Sequence, residues 1–488
     1  MNKGVLIILD GYGEGKSGEF NAVKNAKTPT LNALKSKSYS LLKADGEAVG
    51  LFAGAMGGSE VGHTTIGAGR VIKSTAKKIN DDIQNNKLKN NPVFAEMLKN
   101  LKRDKGDLHL VGLMSDKNVH SNVNHMLHII DNAKSKAKNI YLHLITDGRD
   151  CGVKDSLKYL KKVKAHIKKL TNVVILSVLG RFYAMDREGN LDRTNLAFKT
   201  MFEPVDKLYT SVENYIKNQH ENKVFDEYIK PAHFASNYTK MKKQDYVFIF
   251  NFREDRIRQI SKMIKDKNLK LITFAEVENC VSLYKENDVK MTLSEYLSKN
   301  KLSQIKISES TKYAHVTYYL NGGKEAPFYK EDRIHVPTIK VDNFAKTPKM
   351  QAGLITKHTV EALNIGYDAV IVNFSNPDMI GHTGDYLATK KAIEYVDKCV
   401  NKIIKTALKT NHFVLITADH GNSESMKKKN GEIDTAHTTN KVFCAVKSKN
   451  DIKLKKYGEL KDVAPTFIDL MGLKKNPYFE GDSLVVKS

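Results

Sequence analysis

The chain contains no tryptophan, few arginines and no long apolar run. Its longest apolar stretches are six or seven residues, far short of the roughly 20 that a membrane-crossing helix needs, so no membrane partner is expected. The four cysteines, Cys151, Cys280, Cys399 and Cys444, are widely scattered with no CxxC pair, and a reduced, cytoplasmic setting fits that usage. The opening "MNKGVLIILDG" joins a lysine to an apolar run, but Asp10 ends the run too early for a secretory signal. No internal repeat, low-complexity tract or Pro/Ser-rich linker stands out. At 488 residues the chain exceeds what one hydrophobic core organises, so at least two domains are expected.

Arginine is the informative scarcity. Of 79 basic residues, 69 are lysine, spread over helical stretches such as "LKYLKKVKAHIKKL" that read as solvated faces. The net charge of +24 raises a basic nucleic-acid-binding protein as the non-enzyme alternative. That reading calls for basic residues interleaved with aromatics, whereas here tryptophan is absent and the aromatics sit mostly in apolar runs. No nucleic-acid partner is therefore expected. Seven of the ten arginines fall in three groups: Arg149; Arg181, Arg187 and Arg193; Arg253, Arg256 and Arg258. A planar, bidentate fork is the group for holding carboxylate or phosphate.

Short apolar runs end abruptly in polar chemistry. "VLIIL" meets Asp10; "LHLVGLM" meets Ser115, with His120 just beyond; "IYLHLI" meets "TDGRD"; "VVILSVL" meets Gly180 and Arg181. "YVFIF" meets "NFREDR", "AVIVNF" meets "SNPDMIGH", and "FVLIT" meets "ADHGN". Such runs, rich in Val and Ile without alternation, read as strands buried on both faces of parallel sheets. With helical patterns between them, "HMLHIIDNAKSKA" and "TKKAIEYVDKCVNKIIKTAL", the class is α/β. Ligands of open parallel sheets sit beyond the carboxyl ends of the strands, where these Asp, His and Arg residues lie, which points to an enzyme. The outer parts of the chain end their strands in Asp, His and Ser, the middle in Arg, Asp150 and His120. Two domains are expected, each a mostly parallel sheet flanked by helices: residues 1–75 with 310–488, and an inserted domain over 76–309.

Asp10, Asp378, His382, Asp419, His420 and His437 all fall at strand ends or adjoining loops. Singly, each has a plain alternative as a turn former, helix cap or surface residue. Jointly, mixed carboxylates and imidazoles suit Mn²⁺ or Zn²⁺ better than Mg²⁺. Six donors exceed the set one catalytic ion takes, so two ions are implied. The pair Asp378 and His382 shares a helical face if the loop turns helical there. A two-ion site also explains the glycine-rich "GAMGGSEVGHTTIGAGR", in which metal coordination makes Ser59 a nucleophile and bare backbone lets N–H groups approach a phosphate.

The successive stretches "LDGYGEGKSGEFNAVKNAKTPTLNAL", "MGGSEVGHTTIGAGR", "TDGRD", "NFREDR", "TKYAHVTYYLNGG", "NPDMIGHTG", "TADHGN" and "AHTTN" resemble the signatures of the cofactor-independent phosphoglycerate mutase family, whose metal domain belongs to the alkaline phosphatase superfamily. The resemblance implies an alkaline-phosphatase-like domain carrying metal, with a substrate-binding transferase domain inserted. It implies interconversion of 3-phosphoglycerate and 2-phosphoglycerate, in glycolysis and gluconeogenesis, through a phosphoserine on Ser59. One ion would be held by Asp378, His382 and His437, the other by Asp10, Asp419, His420 and Ser59. Arg149, Asp150, Arg181, Arg187, Arg253 and Arg256 would grip the substrate, with His120 beside the transferring group and Lys312 on the phosphoryl. The implied cofactors are two divalent ions, Mn²⁺ first with Mg²⁺, Co²⁺ or Zn²⁺ as alternatives, and no 2,3-bisphosphoglycerate. A monomer acting on a small-molecule substrate is expected.

Three positions depart from that family's pattern. Asn122 stands where a second histidine is expected, Gly58 where Asn is common, and Thr311 where an acid precedes Lys312. None removes a metal donor. The alternative within enzymes is a metal-dependent phosphomonoesterase or phosphopentomutase of the same superfamily. The arginine groups argue against it, because they suit a small acid better than a sugar.

Overall fold

The computed structural model of the chain describes residues 2–486 except 236, 237, 239 and 286. It divides into two units, Met1–Ser74 with Asn287–Ser488, and Thr75–Glu286. The second break thus lies upstream of residue 310. The reason is the strand Gln304–Glu309, which pairs in parallel with Ala369–Phe374 and Glu331–Val336 and so belongs to the first unit's sheet.

That sheet has eight strands in the order Glu331–Val336, Gln304–Glu309, Ala369–Phe374, Lys3–Leu9, His412–Thr417, Val442–Lys447, Tyr39–Lys43 and Tyr457–Glu459. The first five are parallel, and Val442–Lys447 runs antiparallel to both its neighbours. Lys3–Leu9 lies between Ala369–Phe374 and His412–Thr417, with Leu9 opposite Phe374 and Ile8 opposite Thr417. Val5 to Leu9 are all fully buried. At about 2 kcal/mol per side chain, this one strand contributes roughly 10 kcal/mol of apolar burial.

The helix Tyr386–Lys409 covers one face. Its N-cap Asp385 accepts the amide of Ala388, and Ile393, Val396, Val400, Ile403 and Ala407 form the buried stripe that a 3.6-residue period predicts. It packs on Ala352–Ile365, which ends where Gly366 turns left-handed at φ 92°.

The second unit has seven strands in the order Ala232–His233, Val173–Gly180, Ile140–Thr146, Leu108–Leu113, Tyr246–Ile249, Lys270–Thr273 and Val281–Ser282. All pairs are parallel except the edge strand Ala232–His233. The register of Val173–Gly180 slips by one residue between Leu142 and His143, so that His143 faces Ser177. A polar row then crosses the sheet, with His109 Nδ1 2.9 Å from His143 Nε2 and His143 Nδ1 2.8 Å from Ser177 Oγ. Phe202 and Tyr238 cover it. Burial drives the His109 imidazole down to about 3 and pushes His143 well below its ordinary range.

All seven apolar runs singled out in the sequence are strands, and both helical patterns are helices. Among the described residues no helix is long and apolar enough to cross a membrane, and all four cysteines are free.

Candidate active site

Four adjacent parallel strands of the first unit deliver the polar cluster. Gln304–Glu309 leads into Lys312, Ala369–Phe374 into Asp378 and His382, Lys3–Leu9 into Asp10, and His412–Thr417 into Asp419 and His420. The loop after Ala369–Phe374 does turn helical, over Asn376–Gly381, and puts His382 Nε2 3.2 Å from Asp378 Oδ1. His437 Nε2 lies 3.1 Å from His382 Nε2 and 3.4 Å from Asp378 Oδ1. Three donor atoms at these spacings match the ligand-to-ligand separation of about 3.3 Å in a tetrahedral site with bonds of roughly 2.0–2.1 Å.

The second donor set is equally close. His420 Nε2 stands 3.4 Å from Asp10 Oδ1 and 3.5 Å from Asp419 Oδ2. Asp419 Oδ2 is buried without a hydrogen-bond partner. His420 also lies near Asp378 and His437, with donor atoms of the three within 4.8 Å, so the two sets adjoin.

The imidazoles are oriented from behind. Backbone carbonyls accept from each Nδ1: Thr435 from His382 at 2.7 Å, Gly57 from His437 at 2.9 Å and Gly421 from His420 at 3.2 Å. A carbonyl only accepts, so Nδ1 carries a proton and Nε2 is the atom left to face a cation. Donor chemistry, spacing, orientation and an orphaned carboxylate oxygen all fit divalent cations.

Ser59 is the first residue of the helix Ser59–Ala68, and Gly58 is its N-cap. The hydroxyl does not cap the helix. It donates to Asp10 Oδ1 at 3.1 Å, lies 2.9 Å from His420 Nε2, and accepts from Lys312 Nζ at 2.5 Å. Lys312 Nζ also reaches Asp10 and Asp378, each at 2.7 Å. Burial alone would lower the Lys312 ammonium, but Asp10, Asp378 and Asp419 hold it above its ordinary range. Burial would raise Asp10, yet Lys312 and the bond to His420 hold it far below the usual carboxylate range. For His420, burial is outweighed by Asp419 and Asp10, which lift it to about 10.

The glycines have a packing role beyond the one expected. A Cβ on Gly62 would stand 2.6 Å from the Asp419 carbonyl oxygen, so glycine lets the helix press against the Asp419 turn. Gly58 has no such constraint. A Cβ there would meet only the His437 ring, at 3.5 Å, an ordinary contact.

In the second unit the strand ends gather the arginines. Arg181 is buried and donates to Asp147 Oδ1 at 2.7 Å and Asp150 Oδ2 at 2.6 Å. Arg187 and Arg253 both pair with Asp255, at 3.2 and 3.1 Å, and Arg149 faces Glu227 at 3.8 Å. Arg256 donates to the Met185 carbonyl; burial, then Arg187, Arg181 and Arg149, lower its guanidinium, the signature of crowded cations. His120 lies 3.8 Å from Asp150 and 4.0 Å from Asp255. Burial, then Arg181, bring its imidazole down to about 4, so it is neutral at pH 7. Arg193 and Arg258 are tied to Asp186 and Glu254.

Of the departures noted in the sequence, Asn122 has a plain local role, whereas the buried hydroxyl of Thr311 has no hydrogen-bond partner. Asn122 caps the helix Val123–Ala133 by accepting the amide of Asn124. The Thr311 amide meets Thr338 Oγ1 at 3.4 Å.

Several residues of the cluster escaped the sequence reading. His63 bonds the Ser59 carbonyl at 2.9 Å and faces Asp419 at 3.2 Å. Asn373 donates to Asp10 at 2.8 Å, and Asn422 to Asp378 at 3.1 Å. Asp147 and Asp255 anchor the arginines. The one available signal was spacing, since His63 lies a helical turn after Ser59.

Fold and site together define an α/β enzyme dependent on divalent metal, and the Metalloenzyme superfamily matches residues 2–475. The 2,3-bisphosphoglycerate-independent phosphoglycerate mutase of Clostridium kluyveri is 39% identical over 502 residues, covering 99% of each chain. That of Helicobacter pylori is 39% identical over 487 residues and covers 97% of each. The crystal structure of Leishmania mexicana phosphoglycerate mutase at low cobalt concentration superposes with a TM-score of 0.68 at 28% identity, covering 100% of this chain and 98% of that one. The chain belongs to the 2,3-bisphosphoglycerate-independent phosphoglycerate mutases, a family of isomerases.

Proposed function

We propose that this enzyme interconverts 3-phosphoglycerate and 2-phosphoglycerate through a phosphoserine on Ser59, without added 2,3-bisphosphoglycerate. The observation that carries the reading is the Ser59 hydroxyl, set within 3.1 Å of Lys312, His420 and Asp10 where two Asp/His donor sets adjoin. Asp378, His382 and His437 would hold one ion, and Asp10, Asp419 and His420, with Ser59, the other. We take Mn²⁺ as the resident metal, since mixed carboxylate and imidazole donors suit it. When bound, the ions lower the pKa of the serine hydroxyl and take up phosphoryl charge.

Ser59 Oγ forms the new bond to phosphorus as the bond to the glycerate oxygen breaks. In the reverse transfer the other glycerate hydroxyl attacks the phosphoserine and frees Ser59. Lys312, charged throughout, neutralises the phosphoryl oxygens. The helix N-terminus at Ser59 favours the same negative charge. Arg149, Arg181, Arg187, Arg253 and Arg256 bind the carboxylate and phosphate of the small acid, and Asp150 orients Arg181. Neutral His120 is able to accept a proton from a glycerate hydroxyl and return it. Ser59 is only 6% exposed, which supports a phosphoserine that outlives contact with water. The four free cysteines support a reducing, cytoplasmic location. A monomer remains our reading.

The test is chelation followed by restoration of each divalent ion in turn, with 2-phosphoglycerate and free phosphate measured together. Recovery with Mn²⁺, and a phosphorylated peptide containing Ser59, are expected. Dominant phosphate release would make the protein a phosphomonoesterase instead.

A further inference from the structure

Glu424 is buried, 3% exposed, and belongs to neither donor set. Its carboxylate is nevertheless where three loops of the first unit meet. Oε2 accepts the amide of Gly13 at 3.1 Å and that of Asn422 at 2.9 Å. Oε1 accepts the Thr438 hydroxyl and, at 3.0 Å, Nδ2 of Asn440. Gly13 follows Asp10 on the first loop, Asn422 follows His420 on the second, and Thr438 adjoins His437 on the third.

The backbone is bare where this carboxylate sits. A Cβ on Gly13 would lie 2.3 Å from the Glu424 carboxyl carbon, and one on Gly421 would lie 2.3 Å from Oε1. Four donors converge on the two oxygens, so the site calls for a group that only accepts. An ionised carboxylate meets that requirement, whereas an amide turns its NH₂ toward two donors in either orientation. A residue serving one turn would bond one loop. This one bonds the loops of Asp10, of Asp419 with His420, and of His437, leaving out the loop of Asp378 and His382 and the helix start at Ser59.

We infer that Glu424 is a positioning residue that sets the donors of both ion sites by clamping the loops of Asp10, of Asp419 with His420, and of His437. The inference rests on the two-ion reading above. It touches neither the phosphoryl group nor an ion.

The test is a Mn²⁺ titration of the metal-free full chain, following the electron paramagnetic resonance signal of free aqueous Mn²⁺. Wild type is expected to bind two ions. Glu424→Gln, nearly identical in shape, should weaken both by ten- to hundredfold, the usual cost of losing a group that orients ligands. Thr438→Val removes one of the two bonds that tie the His437 loop to Glu424, the Asn440 amide keeping the other, and should weaken one ion while leaving the other within twofold. Titrations are run well below the melting temperature of each variant, where a merely structural loss leaves affinity unchanged. Unaltered affinities in Glu424→Gln, or equal weakening of both ions by Thr438→Val, would overturn the clamp while the two-ion reading stands. Failure of wild type to bind two ions would instead sink the two-ion reading, and the clamp with it. Should Glu424→Gln not fold, Thr438→Val alone decides.

Discussion

Each unit clamps one buried cation between two carboxylates at its strand ends. In the first, Lys312 lies between Asp10 and Asp378; in the second, Arg181 lies between Asp147 and Asp150. The surroundings then diverge. Around Lys312 stand Asp10, Asp378, Asp419 and His420, all buried and held by further buried groups. Around Arg181 stand side chains half open to solvent, Arg149 at 53%, Arg187 at 50% and Arg253 at 54% exposed. Exposed ion pairs are worth about 0–1 kcal/mol, so giving up these protein carboxylates for another anion would cost the arginines little. Buried donors, by contrast, are fixed before any ligand arrives. On the function proposed above, one unit would supply a fixed geometry and the other a set of cations open to exchangeable anions.

The comparison breaks hardest at Ser59. Ser59→Ala should lower kcat by on the order of 10⁴-fold or more, the scale of losing a nucleophile, while calorimetry finds substrate affinity nearly unchanged. Retained turnover would remove the serine from the reaction. Acid should discriminate next. Burial lowers the imidazoles of His109, His125 and His143, so the folded chain binds fewer protons than the unfolded one below the ordinary imidazole value. Their contribution is complete above about pH 6.5 and is lost as pH falls toward 4, roughly 2 kcal/mol for each at pH 5. All three lie in the second unit, so thermal melts should fall from pH 7 to pH 5 with that unit opening first. A flat profile would mean these rings are already solvated.

Smaller changes sharpen the same contrast. Arg256→Lys keeps the charge but loses the fork, and KM should rise by about ten- to hundredfold with kcat little altered. Unchanged kinetics would make Arg256 structural. The smallest effect is expected at Gly58. Its backbone is extended and a Cβ would make only ordinary contact with the His437 ring, so Gly58→Asn should stabilise the helix cap by only a few tenths of a kcal/mol and alter the rate less than threefold. A large loss of rate there would show that bare backbone at this point matters to the phosphoryl group.

Most of the parallel sheet was legible because its strands are unbroken apolar runs that stop at Asp, Ser or Arg. Gln304–Glu309 was not, and that omission displaced the second boundary. Its sequence, "QIKISE", alternates like an exposed strand, yet all six residues are buried. Lys306 is satisfied internally by Asn321 and Glu331, and the Gln304 amide nitrogen donates to the Ser294 carbonyl, partners that only the folded chain supplies. The candidate metal donors were legible as a set because each ends a strand or lies in the loop that follows one. His63, Asn373 and Glu424 were not: both partners of Asn373, Asp10 and His63, lie hundreds of positions away, as do the contacts of His63 with Asp419 and of Glu424 with Gly13, and the nearer bonds of His63 to Ser59 and of Glu424 to Asn422 do not by themselves mark a site. Asp255 was quoted within "NFREDR" but overshadowed by its arginines.

The strand Lys3–Leu9 has a consequence for how the chain is made. Both its neighbours come from the far end of the sequence, Gly4 meeting Ala369 on one side and Phe413 on the other. At about 5–20 residues per second, a ribosome takes on the order of twenty seconds to over a minute to supply them. Throughout that interval one of the most apolar segments in the protein has emerged with nothing to pair to, and the inserted unit is completed before either partner is made. Nascent chains of this enzyme should therefore be bound near their start by holding chaperones, and released only when the last third has been translated.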